Sequence, residues 1–125
     1  MRGALSDAEV ASDTVAWINA HATSTPLGDD IEIMAIERVF GSSSKAVISS
    51  IKGLTGHALG ASGAIEVVLS LAAMRSGIIL PNFNLRQPSR QTIFRRPEVP
   101  ECFEGGCCLS NSFDFGGVNA SLIMQ

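Results

Sequence analysis

Apolar positions along the chain fall into short β-like runs separated by stretches of helical spacing. Ala4, Leu5, Asp7, Ala8 and Val10 read as the tail of a helix, with Ser12-Asp13 as a turn. This helix is short, and isolated segments under ~12 residues are marginal in water. Thr14–Ala20 is β-branched and aromatic, the composition of a buried strand. His21–Pro26 is a hydroxyl-rich loop that ends in a proline stop. Asp29-Asp30 then stand where the first turn of a helix favours acids. Ile31, Met34, Ala35 and Val39 recur at helical spacing, Glu32, Glu37 and Arg38 stay polar, and Gly41–Ser44 ends that helix. Lys45–Ile51 is the next strand. From Gly60 to Ser76 the pattern predicts a helix apolar nearly all round (Ile65, Val67, Val68, Leu69, Leu71, Met74), which belongs inside a larger assembly of elements. Ile78–Pro81 reads as a short edge strand, because proline cannot donate to a ladder. Asn82–Pro100 is a proline- and arginine-rich loop. Gly106–Ser110 and Ala120–Met124 are the last strands, joined through a hairpin connection at Asn111–Asn119. The order β-α-β-α-β-β-β predicts an α/β fold with one mixed five-stranded sheet and covering helices.

Composition narrows this only a little. The 125 residues make one domain, and 46% apolar against 17% charged describes a core-forming chain. A net charge of -3 leaves no electrostatic footprint for nucleic acid or an anionic membrane. No apolar run reaches the ~18 residues of a membrane span, and Met1–Asp7 lacks the apolar stretch of a signal peptide. Cys102, Cys107 and Cys108 are too crowded for a disulfide framework and fit no zinc spacing, so they read as buried thiols in a reducing compartment.

The candidate chemistry gathers in Ser50–His57 and the Ala58–Glu66 stretch after it. Gly53, Gly56, Gly60 and Gly63 are more glycines than packing requires, and glycine lets backbone approach backbone or ligand closely. A strand that passes to a helix through such a loop presents its side chains at the carboxyl edge of a sheet, where α/β proteins place ligands. The chain has two histidines, His21 and His57, each after a β-run and each opening a small-residue loop. Either alone reads as a satisfied core or capping residue. A matched pair can converge on one substrate oxygen, where a neutral imidazole donates a hydrogen bond to developing negative charge.

Three stretches, Ile18–Asp29, Lys52–His57 and Ser110–Asn119, resemble in sequence and in order the C-terminal signatures of the β-ketoacyl-[acyl-carrier-protein] synthases. The resemblance implies a thiolase-like fold of two similar α/β halves, of which residues 1–125 form the C-terminal half. It implies decarboxylative condensation of a malonyl thioester with an acyl thioester, in fatty-acid or polyketide elongation. His21 and His57 match the pair that binds the malonyl thioester, and Lys52 matches the lysine whose polar network tunes them. A buried lysine needs an acid partner to keep its charge, and Asp29 and Glu66 match the acids of that network. The apolar neighbours of Glu66 argue against a solvated helix residue. Thr23 and Thr25 match hydroxyls that bond the phosphopantetheine arm, although loop capping explains them equally well. Phe115 matches a gating phenylalanine whose backbone N–H joins an oxyanion hole. Asn19, Glu66, Ser110 and Asn111 match a buried monovalent-cation site. No cofactor is implied beyond the phosphopantetheine arm of the carrier. The implied partners are an acyl carrier protein, the other half of the fold and a second copy of the intact enzyme. The implied compartment is intracellular: a bacterial cytoplasm, a mitochondrial matrix or a plastid.

Two departures stand out. Ala22 occupies a position more often held by glycine, and Asp114 stands where glycine is usual, beside the gate. If Asp114 needs positive φ, aspartate tolerates it better than most residues do. The acyl-accepting cysteine of the family lies in the first half, which these residues do not match. None of Cys102, Cys107 and Cys108 leads a strand into a helix N-terminus, the setting that lowers a thiol pKa. The alternative is a non-catalytic, chain-length-factor-like partner of a complete synthase. A two-histidine metal site lacks carboxylates at ligand spacing.

Overall fold

Val15–Asn19 forms the strand (β1) that orders everything else. In the computed structural model, which describes residues 1–125, it lies between two parallel neighbours. These are Val47–Ser49 (β2) and Cys107–Phe113 (β5), and Asn119–Met124 (β6) adds an antiparallel edge strand to β5, giving the order β2-β1-β5-β6. A strand covered on both faces needs apolar residues in an almost unbroken run, and Val-Ala-Trp-Ile supplies it.

Helices flank the sheet. Arg2–Asp7 (α1) and Pro26–Phe40 (α2) lie on one face and Ser62–Arg75 (α4) on the other, while Lys52–Thr55 (α3) is a single turn after β2. One apolar cluster joins Leu5, Val15, Ile18, Ile36, Phe40 and Leu109. The second joins Trp17, Val47, Ile51, Ala73, Cys108 and Met124. The pairing of β1 with β5 slips by one residue between Val15 and Trp17, a bulge that sets the faces of the rest of the strand. Alternation then points Asn19 and Ser110 toward α4 and Asn111 toward α2. All three parallel strands end at the same edge. His21, Lys52 and the loop after Phe113 therefore arrive together without any long-range steering.

The α/β architecture and mixed sheet agree with the sequence pattern, with local differences. The main sheet has four strands, because Ile78–Ile79 (β3) pairs instead with Glu101–Cys102 (β4) in a separate two-stranded ribbon. Cys102 sits in that ribbon with its side chain exposed, so of the three thiols expected to be buried only Cys107 and Cys108 are. Pro26 starts α2 at its first turn, where the missing N–H costs nothing, and is not a stop. The phase of α2 also differs. Glu32, Ile36 and Phe40 are its buried row, while Ile31 and Met34 face outward. The strand β5 continues through Asn111 and Ser112 to Phe113, which shortens the hairpin loop to residues 114–118. The Asn82–Pro100 segment covers the open edge of β2: Arg95 O accepts the Ile48 N–H, and Asn82 bonds both Ile48 O and Ser50 N. No helix is long and apolar enough to cross a membrane.

Candidate active site

The two imidazoles meet. His21 comes two residues after β1 and His57 follows α3, and their ring centroids are 5.7 Å apart in an edge-on arrangement. His57 does not follow a strand directly. The α3 turn intervenes, and Gly56, at φ 73° and ψ 179°, reverses the chain in a conformation open essentially to glycine alone. Gly53 is required for a different reason, since a Cβ there would collide with the carbonyl oxygen of Phe83.

Beneath the rings is a buried polar network. Lys52 Nζ forms an ion pair with Glu66 Oε1, and these side chains are only 5% and 1% exposed. Asn19 Nδ2 donates to Glu66 Oε2 (3.2 Å) and to Ser110 Oγ (3.0 Å), while Asn19 Oδ1 accepts the Ile51 N–H. Every member is paired, the condition under which a buried charge is tolerated. The Lys52–Glu66 pairing expected from the sequence is therefore present. Asp29 is not part of it: its Oδ1 accepts the Ser24 N–H, and burial raises its carboxyl above the usual range. The acid that reaches His21, through its backbone, is Glu32. Its two oxygens accept the N–H groups of His21 (2.9 Å) and Ala22 (2.8 Å), and Asn111 Nδ2 donates to it as well. Burial raises the Glu32 carboxyl, against the pull of those donors. The signal for Glu32 was its place four and eight residues before Ile36 and Phe40.

The hydrogen bonds of His57 decide its tautomer. Leu59 N–H donates to Nδ1 at 3.3 Å, and Ser62 Oγ lies 3.0 Å from the same atom. Because the Leu59 N–H makes Nδ1 an acceptor, the Ser62 hydroxyl donates to Nδ1 while its oxygen accepts the Ala58 N–H. The imidazole proton is therefore on Nε2. His21 is held neutral: burial first, then the Lys52 charge and His57, lower its pKa to about 4, against a small opposing effect of Asp114. Its ring packs on Phe113 at 5.6 Å.

A titration follows from that shift. A histidine depressed from 6.5 to about 4 takes up its proton in the unfolded chain first. Stability is then fully present above pH 6.5 and falls as the pH drops through the window from 6.5 to about 4. Glu32 and Asp29, shifted upward, pull the opposite way, so the measurement is the difference between wild type and His21→Gln in urea midpoint at pH 7.5 and pH 5. Wild type should lose more over that interval. Equal losses in both proteins would show that the imidazole is not held neutral.

A cleft of about 440 Å³ opens beside Lys52 and His57, lined also by Ala22, Thr23, Ser50, Phe83 and Arg86, and His21 itself does not line it. Thr25 lines a neighbouring pocket, and Thr23 Oγ1 and Thr25 Oγ1 lie 3.4 Å apart. Phe115 is at the tip of the 114–118 hairpin and is 96% exposed. Asn19, Glu66 and Ser110 do lie together, but they do not fit a cation: the Glu66 charge is already met by Lys52, and the Asn19 amide turns its N–H groups inward. Asn111 points to the opposite face, toward Glu32. No group of three or more His, Cys, Asp or Glu side chains is placed to hold a metal. Burial pushes the Cys108 thiol up to about 12, and Cys107 and Cys108 pair with Val15 and Trp17, short of the end of β1 that leads to His21.

Ala22 adopts φ 29°, a region that favours glycine. The Ala22→Gly variant is expected to raise stability by about 1 kcal/mol, read as a higher urea midpoint at unchanged slope. A drop would mean that the entropy lost by glycine outweighs the relieved strain.

The sequence profile described as "Beta-ketoacyl synthase, C-terminal domain" matches residues 1–86. The 3-oxoacyl-[acyl-carrier-protein] synthase 2 of Rhizobium meliloti (strain 1021) is 46% identical over the whole of this chain and 30% of its own length. The crystal structure of a β-ketoacyl synthase from Burkholderia phymatum STM815 superposes with a TM-score of 0.90 at 37% identity, covering 98% of this chain and 30% of that one. AntDE:AntF, a type II polyketide acyl-carrier protein in complex with its ketosynthase, superposes at 0.89 and 31% identity, over 99% of this chain and 31% of that one. The chain spans about a third of the length of the curated relatives it matches.

Proposed function

The chain belongs to the β-ketoacyl synthase family, whose C-terminal domain it matches, and on that premise we propose that it supplies the histidine half of a condensing active site. The observation that carries this reading is the meeting of two imidazoles, 5.7 Å apart, over a buried lysine–glutamate pair. A malonyl thioester carried on a phosphopantetheine arm enters the cleft and sets its carbonyl oxygen between the rings. The His57 Nε2–H donates to that oxygen, and neutral His21 offers a second donor. Loss of carbon dioxide leaves an enolate whose oxygen carries the charge those donors were placed to meet. The carbanion then attacks an acyl thioester, forming a carbon–carbon bond and releasing the thiolate that held the acyl group.

That thiolate comes from outside residues 1–125, because Cys107 and Cys108 are buried in β5 and Cys102 lies in the β3–β4 ribbon. Thr23 and Thr25 are assigned to the pantetheine arm and the Phe115 N–H to the acyl oxygen. The acyl-carrier protein bound in AntDE:AntF supports a carrier as the partner.

The rest of the synthase is also assigned to the open face of α4. This helix buries Ser62, Glu66, Ser70 and Ala73 and leaves Ile65, Val68 and Leu71 outward, the reverse of an independent surface helix. Expressed alone, the chain should self-associate, and Val68→Glu should return it to a monomer in sedimentation. A wild-type monomer would argue against this face as an interface. The function is tested by joining the chain to a cysteine-bearing first half and supplying carrier-bound malonate. Release of carbon dioxide coupled to a lengthened acyl chain supports it. Absence of both leaves the non-catalytic partner as the better reading.

A further inference from the structure

Asp114 closes the 114–118 hairpin by donating its N–H to Val118 O at 2.9 Å. Its φ is negative, so the position tolerates a side chain and no backbone strain is involved. The carboxylate folds back on the chain, and Oδ1 accepts the Phe115 N–H at 2.8 Å. The Phe115 N–H makes no other hydrogen bond, and its side chain is exposed.

We propose that Asp114 is a latch on the Phe115 N–H, withholding that donor from the acyl thioester until the carboxylate swings away. The inference rests on the reading above, in which this N–H serves the acyl oxygen. A hydrogen bond to a carboxylate is about twice as strong as one to a neutral carbonyl, so the resting contact outcompetes an incoming thioester oxygen. The carboxylate also lies where negative charge builds up as the acyl carbon is attacked, and repels it. The histidine pair faces a different oxygen, that of the malonyl group. The latch therefore slows acyl transfer and leaves decarboxylation alone, biasing the site toward releasing carbon dioxide without forming a carbon–carbon bond.

The experiment uses the chain joined to its cysteine-bearing half, as wild type, Asp114→Gly, Asp114→Ala and Asp114→Asn. Acylation of the cysteine by acyl carrier is followed by mass spectrometry in a single turnover, and carbon dioxide release from carrier-bound malonate is followed separately. Asp114→Gly and Asp114→Ala should speed acylation about tenfold, while carbon dioxide release stays within about twofold. Asp114→Asn keeps an acceptor oxygen without the charge and should fall between. Acylation that is unchanged or slower in both the glycine and the alanine variants overturns the latch. So does a parallel change in the two rates, which is what a purely structural role would give. A failure of the histidine reading shows elsewhere, as carbon dioxide release that His57→Ala does not alter.

Discussion

Lys52→Met is expected to destabilise the folded chain by about 3–5 kcal/mol, because it leaves the Glu66 carboxylate buried without its cation. Methionine fills the volume of the lysine stem, so the loss reports charge and not a cavity. The double variant Lys52→Met/Glu66→Gln should recover most of it. The amide oxygen introduced by Glu66→Gln still accepts from Asn19 Nδ2, and no uncompensated charge remains. Urea unfolding of wild type, both single variants and the double variant closes the cycle and isolates the coupling. A single-variant cost below about 1 kcal/mol would mean that water reaches Glu66 and that the pair behaves as a surface ion pair. The same substitution has a second consequence. Lys52 is the largest influence after burial in keeping His21 neutral, so its removal should raise the His21 pKa, readable from the imidazole resonances.

The sequence disclosed this arrangement to the extent that strand patterns and spacing reach. The apolar runs at β1 and β2 and the position of each histidine after them implied convergence at one edge, which the parallel order β2-β1-β5 provides. The apolar flanks of Glu66 implied a buried partner, and Lys52 is that partner. Phase was harder to read. Ile31 and Met34 are apolar yet outward, so counting apolar residues rotated α2 away from its buried row and hid Glu32. Hydrophobicity cannot reveal a carboxylate buried because two backbone N–H groups and an asparagine satisfy it. Asp29, the acid a motif match selected, bonds the Ser24 N–H and leaves the histidine backbone to Glu32. The β3–β4 ribbon pairs two residues with two, too short to impose any periodicity.

His57→Ala should lower carbon dioxide release from carrier-bound malonate by about 10²–10³-fold in the assembled synthase, the cost of one donor to a developing oxyanion, about 2.7–4 kcal/mol. The reason lies in the fixed tautomer. With Nδ1 occupied by the Leu59 N–H and the Ser62 hydroxyl, only Nε2 can donate into the cleft. His57→Gln places an amide nitrogen near the position of Nε2 and should retain activity within about tenfold of wild type, whereas His57→Asn, whose amide falls short, should resemble alanine. Ser62→Ala removes one of the two groups that select the tautomer and leaves the Leu59 N–H in place, so its effect should be intermediate. If instead histidine acts by giving up or taking a proton, glutamine cannot replace it, and the glutamine and alanine variants would be equally slow. Equal rates in those two variants would thus remove the hydrogen-bond-donor role from His57 while leaving the geometry of the pair intact.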